Sequence, residues 1–493
     1  MSQAYAVVAV TVVVLATVLI GGFGLRISRT TSDFYVASRT VGPRLNAAAI
    51  SGEYLSAASF LGIAGLVLVH GPDMLWYPVG YTAGYLVLLL FVAAPLRRSG
   101  AYTLPDFAEG RLESQTVRRL VSAFVIGAGW LYLVPQLQGA GLTLAILTGA
   151  PDWLGPAIVA TVVVLAVAAG GMRSITFVQA FQYWLKLTAL LVPALFLVLA
   201  WQHDGRPHIP AGAPAAVPAL AIAGSLGRAD HPLYATYGLI VATFLGTMGL
   251  PHVVVRFYTS PDGRSARRTT VVVLALIGVF YLLPPVYGAL GRLYASELSL
   301  TGDADAAVLL LPGRLIGGTG GDLLGALVAG GAFAAFLSTA SGLTMAVAGV
   351  LTQESRGVRH FRLATLLAMA IPLAGALLTT GVPVADAVGM AFAVSASSFC
   401  PLLVLGIWWR RLTPPGAVAG LLLGGGSALI AVSVTMSGAV PPGWAHTLLA
   451  WPAVWSVPVG FLAMVLVSLA TPARIPAGTH AAMTRFHLPE ALR

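Results

Sequence analysis

One glutamate, two glutamines and a pair of adjacent hydroxyls interrupt stretches of this chain that are otherwise almost wholly apolar, and these are the side chains able to do chemistry there. Glu53 lies in 48–65 (AAISGEYLSAASFLGIAG), where Gly52, Ser56, Ala57, Ala58 and Ser59 crowd the middle. A carboxylate inside an apolar span is costly and normally faces a partner or a water-filled path. Partners are few in this sequence: Lys186, the single lysine, stands inside a later apolar stretch, and Asp386 near the start of another. Read from its surroundings, Glu53 is either a proton-linked acid or a paired structural one, and Lys186 reads as structural or snorkelling rather than as a ligand.

Ser338 and Thr339 lie in 335–343 (AFLSTASGL). Neighbouring hydroxyls offer oxygen ligands to a small hard cation; a hydroxyl in a membrane helix also bonds the carbonyl one turn back, and spacing does not separate the two uses. Gln136 and Gln138, in 133–141 (LVPQLQGAG), sit beside a proline and two glycines. Their amides suit a carboxylate and equally a neighbouring helix. The run Gly246, Thr247, Met248, Gly249, Leu250, Pro251 repeats the crowding of small residues and helix breakers seen at 52–59. Backbone groups released in mid-membrane must be met by protein, water or ligand, and interruptions at matching places in two halves of a chain mark transporters built from broken helices. The alternative is that small residues simply let helices pack closely.

The elements that must position these residues are membrane helices. The chain is 58% hydrophobic and 9% charged, with mean hydropathy +0.88, whereas soluble domains are roughly a quarter charged. A crossing takes about 20 apolar residues, and about 13 such stretches follow one another: 4–25, 45–69, 75–96, 120–149, 155–172, 177–201, 233–257, 269–294, 322–351, 363–381, 384–409, 417–436 and 451–470. The predicted fold class is therefore an all-α polytopic membrane protein. The first stretch lacks the basic start and small-residue cleavage site of a secretory signal. Cys400, the single cysteine, excludes an internal disulfide framework. Walker, zinc and dinucleotide motifs are missing, which argues against an enzyme and against an ATP-driven pump. Residues 202–232, rich in Pro, Ala and Gly, read as a loop, and no stretch reads as a separate soluble domain.

Charge gives an orientation. Arg26, Arg29, Arg39 and Arg44 follow the first stretch, Arg97, Arg98, Arg111, Arg118 and Arg119 the third, and Arg173 the fifth. Arg256, Arg264, Arg267 and Arg268 follow the seventh, Arg356, Arg359 and Arg362 the ninth, Arg410 and Arg411 the eleventh, with Arg474, Arg485 and Arg493 in the tail. The alternate connections hold Arg206, Arg228, Arg292 and Arg314, and the acids Asp73, Asp152, Asp204, Asp230, Glu297, Asp303 and Asp305. The formal charge of +10 is thus spread by loop rather than massed into a nucleic-acid-binding patch. The positive-inside bias places the amino terminus outside and the carboxyl terminus in the cytoplasm, as an odd number of crossings requires.

Several separated segments, in order between about 32 and 415, resemble the sodium/solute symporter family: 32–39 (SDFYVASR), 102–112 (YTLPDFAEGRL), 249–257 (GLPHVVVRF) and 408–420 (WWRRLTPPGAVAG). Within it, 53–62 (EYLSAASFLG), 136–141 and 335–343 are most similar to the cation/acetate (monocarboxylate) symporter branch, which usually has Asp where this chain has Glu53. The resemblance implies a LeuT-like core of two inverted five-helix repeats, 45–201 and 233–409. Around it stand an extra N-terminal helix and cytoplasmic loop (1–44), the external loop 202–232, two C-terminal helices (410–470) and a cytoplasmic tail (471–493). It also implies a Na+ site from the carbonyls of Gly52, Leu55 and Ala335 and the hydroxyls of Ser338 and Thr339. A small carboxylate would meet Ser56, Ala57, Ala58, Ser59, Gln136, Thr247 and Met248, with Glu53 as a proton-linked or coupling acid. Members related to proline transport carry an acid in the stretch corresponding to 175–182, where this chain has Gln179, which counts against proline and against a second carboxylate-assisted ion step.

The function expected from the resemblance is secondary active symport in a bacterial inner membrane. Inward movement of Na+ or H+ would drive uptake of acetate or another short monocarboxylate by alternating access, with no further cofactor and no nucleic-acid partner. The oxygen cluster favours Na+, whereas a mid-membrane glutamate permits H+. A symporter of the same family for pyruvate, propionate, proline or a sugar is the nearest alternative, and a channel-like or sensory membrane module the alternative of another class.

Overall fold

The computed structural model describes residues 3–28, 30–207, 231–301, 303–352, 357–379 and 384–490. Arg29, Arg228, Asp230, Arg356, Arg493 and residues 208–230 of the expected external loop lie outside the described residues.

Helices long and apolar enough to cross a membrane follow one another along the chain. They are α1 (Gln3–Ile27), α2 (Pro43–Tyr54 with Ala58–His70), α3 (Pro72–Ser99), α4 (Gln115–Thr148), α5 (Leu154–His203) and α6 (Pro232–Gly249 with Pro251–Phe257). After them come α7 (Gly263–Tyr294), α8 (Gly318–Leu351), α9 (Val358–Leu378), α10 (Val384–Trp408), α11 (Pro414–Met436) and α12 (Ala453–Ala470). Among the described residues there is no strand. At 1.5 Å per residue, the 50 residues of α5 would measure about 75 Å, more than twice the roughly 30 Å of a hydrocarbon core. The helix is broken at Gly171 (φ 54°, ψ −147°), a conformation side chains other than glycine's rarely adopt, and a Cβ there would stand 2.7 Å from Phe34. Divided at this point, α5 supplies both the fifth and the sixth expected stretch, so that among the described residues the ten candidate spans and two bent pairs become thirteen candidates.

The burial pattern is inverted relative to a soluble protein. Leu19, Leu195, Leu282, Ile430 and Leu466 are exposed on the outer faces, while Glu53, Gln136, Gln179, Lys186 and Arg256 are buried. Every residue from 328 to 350 in α8 is buried, because α1, α4 and α5 all pack around it. The first half of α6 packs on α3 and α10. The two bent helices, α2 and α6, occupy corresponding places in the two halves of the chain, as broken-helix architecture requires.

The Arg-rich connections meet at one end of the molecule. Arg39 donates to the Gly100 carbonyl at 2.6 Å, Arg97 to the Pro261 carbonyl at 2.5 Å, and Arg98 pairs with Glu490 at 3.4 Å. Arg111, buried, caps the end of α10 by donating to the Gly406 and Trp409 carbonyls at 2.9 and 3.0 Å. Arg173 pairs with Asp33 at 2.7 Å. Burial alone would raise the Asp33 carboxyl, but hydrogen bonds from Ser38, Thr30 and Arg173 hold it well below the usual carboxylate range. A carboxyl held low in the folded state adds stability above its unfolded value of about 4, and that stability is lost as pH falls toward the depressed folded value. Asp33→Asn is therefore expected to lower the melting temperature at pH 7, with the gap to wild type narrowing steadily below about pH 4. A gap that stays constant down the same acid series would rule this ion pair out as the acid-sensitive contact.

Candidate functional site

The two halves of α2 meet at 72°. Leu55 (φ −74°, ψ 86°) leaves the helical region, and small residues on both sides let the chain turn without steric penalty. The last helical bond runs from Leu55 N–H to the Ser51 carbonyl (3.1 Å), and the second half begins with Phe60 N–H on the Ser56 carbonyl (2.9 Å). Between them, backbone groups turn to other helices. The Glu53 carbonyl accepts the Thr339 hydroxyl at 2.6 Å, and Ala57 N–H donates to Gln136 Oε1 at 3.0 Å. The Gly52 and Leu55 carbonyls accept the ammonium of Lys186, at 2.7 Å for Leu55.

Lys186 also donates to Ser338 Oγ at 2.9 Å, and the Ser338 hydroxyl in turn reaches the Ala335 carbonyl at 3.1 Å. The five residues expected to hold a cation therefore stand together at the α2 break, and the ammonium of Lys186 stands among them. The lysine does not snorkel: it is fully buried, because α5 packs against both α2 and α8 and aims its side chain at carbonyls the broken helix has released. Lys186 is also not the ion-pair partner of Glu53.

That partner is Arg256, on the second half of α6. The halves of α6 meet at 41° around Leu250 (φ −63°, ψ 118°), and this turn carries Arg256 into the core. Its Nε donates to Glu53 Oε2 at 2.5 Å, Nη1 to Thr176 Oγ1 at 2.9 Å and Nη2 to Gln179 Oε1. Gln179 Nε2 passes the chain of bonds on to the Ser338 carbonyl at 2.8 Å. Both charged side chains are 1% exposed. Gly342 of α8 leaves the room this needs, since a Cβ there would collide with the Glu53 carboxylate. Arg256, counted in the sequence among the basic residues of a connection, thus belongs to the core. Asp386, the other acid weighed beside Glu53, lies elsewhere, 3.4 Å from the Tyr77 hydroxyl and close to Asp305.

Beside the α2 break the expected substrate residues are buried within a cluster of aromatic side chains. Thr247 Oγ1 stands 2.8 Å from the Tyr54 hydroxyl and Ser59 Oγ 2.9 Å from the Tyr281 hydroxyl; Ser56 lies beside Tyr132. Ala57, Ala58 and Met248 are buried with them. Tyr54 packs on Tyr85 at 4.7 Å between ring centroids, Tyr81 on Phe392 at 4.8 Å, and Tyr132 on Phe392 at 5.9 Å. Gln136 Nε2 and the hydroxyls of Tyr81 and Tyr85 are buried with no hydrogen-bond partner. Gln138 turns away, donating to the Thr379 carbonyl at 2.6 Å. The aromatic walls escaped the sequence reading, although Tyr77, Tyr81 and Tyr85 recur every four residues, the spacing that lines one helix face.

Comparison with known proteins agrees with this architecture. The profile of the Sodium:solute symporter family matches residues 34–424. The chain belongs to that family. It is 32% identical over 472 residues to the "Uncharacterized symporter YwcA" of Bacillus subtilis, covering 90% of each chain. It is 31% identical over 483 residues to the "Monocarboxylic acid transporter" of Corynebacterium glutamicum, covering 89% of this chain and 87% of that one. Among solved structures, a Na+-coupled sialic acid symporter in a substrate-bound outward-open state shares the fold, with a TM-score of 0.68 at 12% identity, over 94% of this chain and 97% of the other. MhsT in complex with L-phenylalanine aligns with a TM-score of 0.54 at 15% identity, over 87% and 98% of the two chains. The symporter-family chain is accordingly a multi-pass membrane transporter with a LeuT-like helical core, not an enzyme.

Proposed function

We propose that this symporter imports acetate or another short monocarboxylate across a bacterial inner membrane by alternating access, driven by entry of Na+ or H+. The Arg-rich end would face the cytoplasm, with the amino terminus outside. The observation that carries the substrate class is the set of buried polar groups without partners in the aromatic cluster: Gln136 Nε2 and the Tyr81 and Tyr85 hydroxyls. An ionised carboxylate accepts hydrogen bonds and donates none, which matches donors left without partners, and hydrogen bonds to a charged group contribute more than neutral ones. The N-terminal end of the second half of α2 would add a favourable dipole for an anion. Ala57, Ala58, Met248 and Phe392, buried beside these groups, are apolar and suit a short hydrocarbon tail rather than a polar one. The monocarboxylic acid transporter of Corynebacterium glutamicum supports the same class. Na+ as the ion is supported by the family's name and by the Na+-coupled sialic acid symporter that shares the fold; H+ is supported by the ionisable Glu53 and Lys186 at the α2 break.

Counterflow of radiolabelled acetate in proteoliposomes tests this reading. A transient overshoot of label is expected in vesicles preloaded with unlabelled acetate, reduced by external propionate or pyruvate and indifferent to proline and glucose. Label that equilibrates without overshoot would mean a pore, and competition by proline or glucose alone would mean a different substrate.

A further inference from the structure

The start of α2 and the start of α7 enclose a groove of about 840 Å³ at the Arg-rich end of the molecule, a size that suits an organic ligand. Arg44 lines it from α2, and Arg264, Arg267 and Arg268 line it from α7; they meet because α7 packs along the first half of α2. All four are exposed. Among the described residues no carboxylate pairs with any of them. The acids close by in the chain and the fold are committed elsewhere. Asp262 caps α7 by accepting the Ser265 N–H at 2.6 Å, and Glu490 accepts the Gly263 N–H at 2.8 Å and pairs with Arg98. The first half of α2 begins at Gly42 without a side-chain cap, so its first-turn amides add positive potential to the same groove.

We propose that this groove binds an anionic phospholipid of the leaflet at the Arg-rich end, its phosphates held by the four guanidiniums and its acyl chains laid along α7. The helix has the matching shape. Arg264, Arg268, Val271, Ala275, Val279 and Leu282 follow one another at spacings of three and four residues, which places them in one stripe. Basic at its start, the stripe is apolar beyond Arg268, and Val271, Val279 and Leu282 are 54%, 52% and 70% exposed. From Val271 to Leu282 the helix rises about 17 Å at 1.5 Å per residue, close to one leaflet of a roughly 30 Å hydrocarbon core. Leu45 and Val272 complete the groove with apolar side chains. Free phosphate would use the arginines and leave the apolar stripe idle; a phospholipid uses both. Guanidinium takes phosphate oxygens two at a time, and four of them offer more than a single phosphate needs. A headgroup with two phosphates, as in cardiolipin, therefore fits better than phosphatidylglycerol with one. Zwitterionic phosphatidylcholine brings its own cation and leaves the groove uncompensated. The site is independent of which solute the symporter carries.

Mass spectrometry of the intact protein in neutral detergent, counting bound cardiolipin as it is titrated in, tests the assignment. The triple variant Arg264→Gln, Arg267→Gln, Arg268→Gln is expected to bind cardiolipin roughly a hundred-fold more weakly than wild type, about five-fold for each arginine removed. A control triple, Arg410→Gln, Arg411→Gln, Arg474→Gln, removes the same charge from other exposed positions and is expected to keep wild-type affinity. In phosphatidylcholine nanodiscs the groove triple is expected to melt with wild type; adding cardiolipin should raise wild type by a few degrees and the groove triple not at all. Should the triple fail to fold, the three single variants, each about five-fold weaker, carry the same comparison. Equal cardiolipin affinity in wild type and the groove variants overturns the proposal, and so does an equal loss in the control triple, which would make the effect one of overall charge. Displacement of cardiolipin by an equal concentration of glycerol phosphate or inorganic phosphate overturns the lipid and makes the groove a site for free phosphate.

Discussion

Arg256→Met is expected to lower folding stability by about 3–5 kcal/mol, the range for removing one member of a buried ion pair, and to abolish uptake. Both Arg256 and Glu53 are 1% exposed, so water cannot compensate the carboxylate left behind. The same substitution strips donors from Thr176 and Gln179, and through Gln179 loosens the bond to the Ser338 carbonyl. The double variant Glu53→Gln with Arg256→Met removes both charges and their desolvation cost, and is expected to regain most of the lost melting temperature while remaining unable to accumulate substrate. Melts of the purified variants and uptake by the same preparations decide it. A double variant no more stable than Arg256→Met would mean that the guanidinium acts through its uncharged contacts rather than through the pair.

Removing the orphaned tyrosine hydroxyls separates a structural aromatic cluster from a binding one. In Tyr81→Phe and Tyr85→Phe no intramolecular hydrogen bond is lost, because neither hydroxyl has a partner; burying fewer unsatisfied groups leaves stability unchanged or raises it. If these hydroxyls hold the carboxylate, each substitution removes a hydrogen bond to a charged group, about 1.5–3 kcal/mol, or roughly a ten- to hundred-fold rise in the substrate concentration for half-maximal uptake. The expected result is that divergence: melting temperature held or raised, half-saturation raised by at least ten-fold, and little change for a neutral amide analogue such as acetamide as a competitor. Equal half-saturation in wild type and both variants would place the carboxylate elsewhere.

The two interrupted helices were legible because Gly, Ser and Pro at 52–59 and 246–251 weaken helix locally, an effect that composition alone reveals. The division of α5 at Gly171 was legible too, as two apolar stretches with a basic residue between them. Ser338 and Thr339 could be nominated as oxygen donors, and Gln136 as an amide near the α2 break, since their polarity stands out against an apolar background. The direction of each was not readable. Gln136 and Gln138 are two residues apart, yet one meets Ala57 and the other Thr379, because on a helix that separation points side chains to different faces.

The apolar stretches, the placement of Arg-rich connections and the positions where helices break were determined by the sequence itself, since each follows from local hydropathy and backbone preference. Which charge answers which was decided by the fold alone. Arg256 reads in the sequence as one more basic residue after an apolar stretch, and becomes the partner of Glu53 because α6 bends at Leu250 and turns it inward. Lys186 reads as a lone cation inside a helix, and becomes the ammonium of an oxygen cage because α5 passes between the broken α2 and the buried centre of α8. Pairing in a low-dielectric interior depends on distances of a few ångströms between residues 131 to 203 positions apart, and no local pattern in a chain encodes those distances.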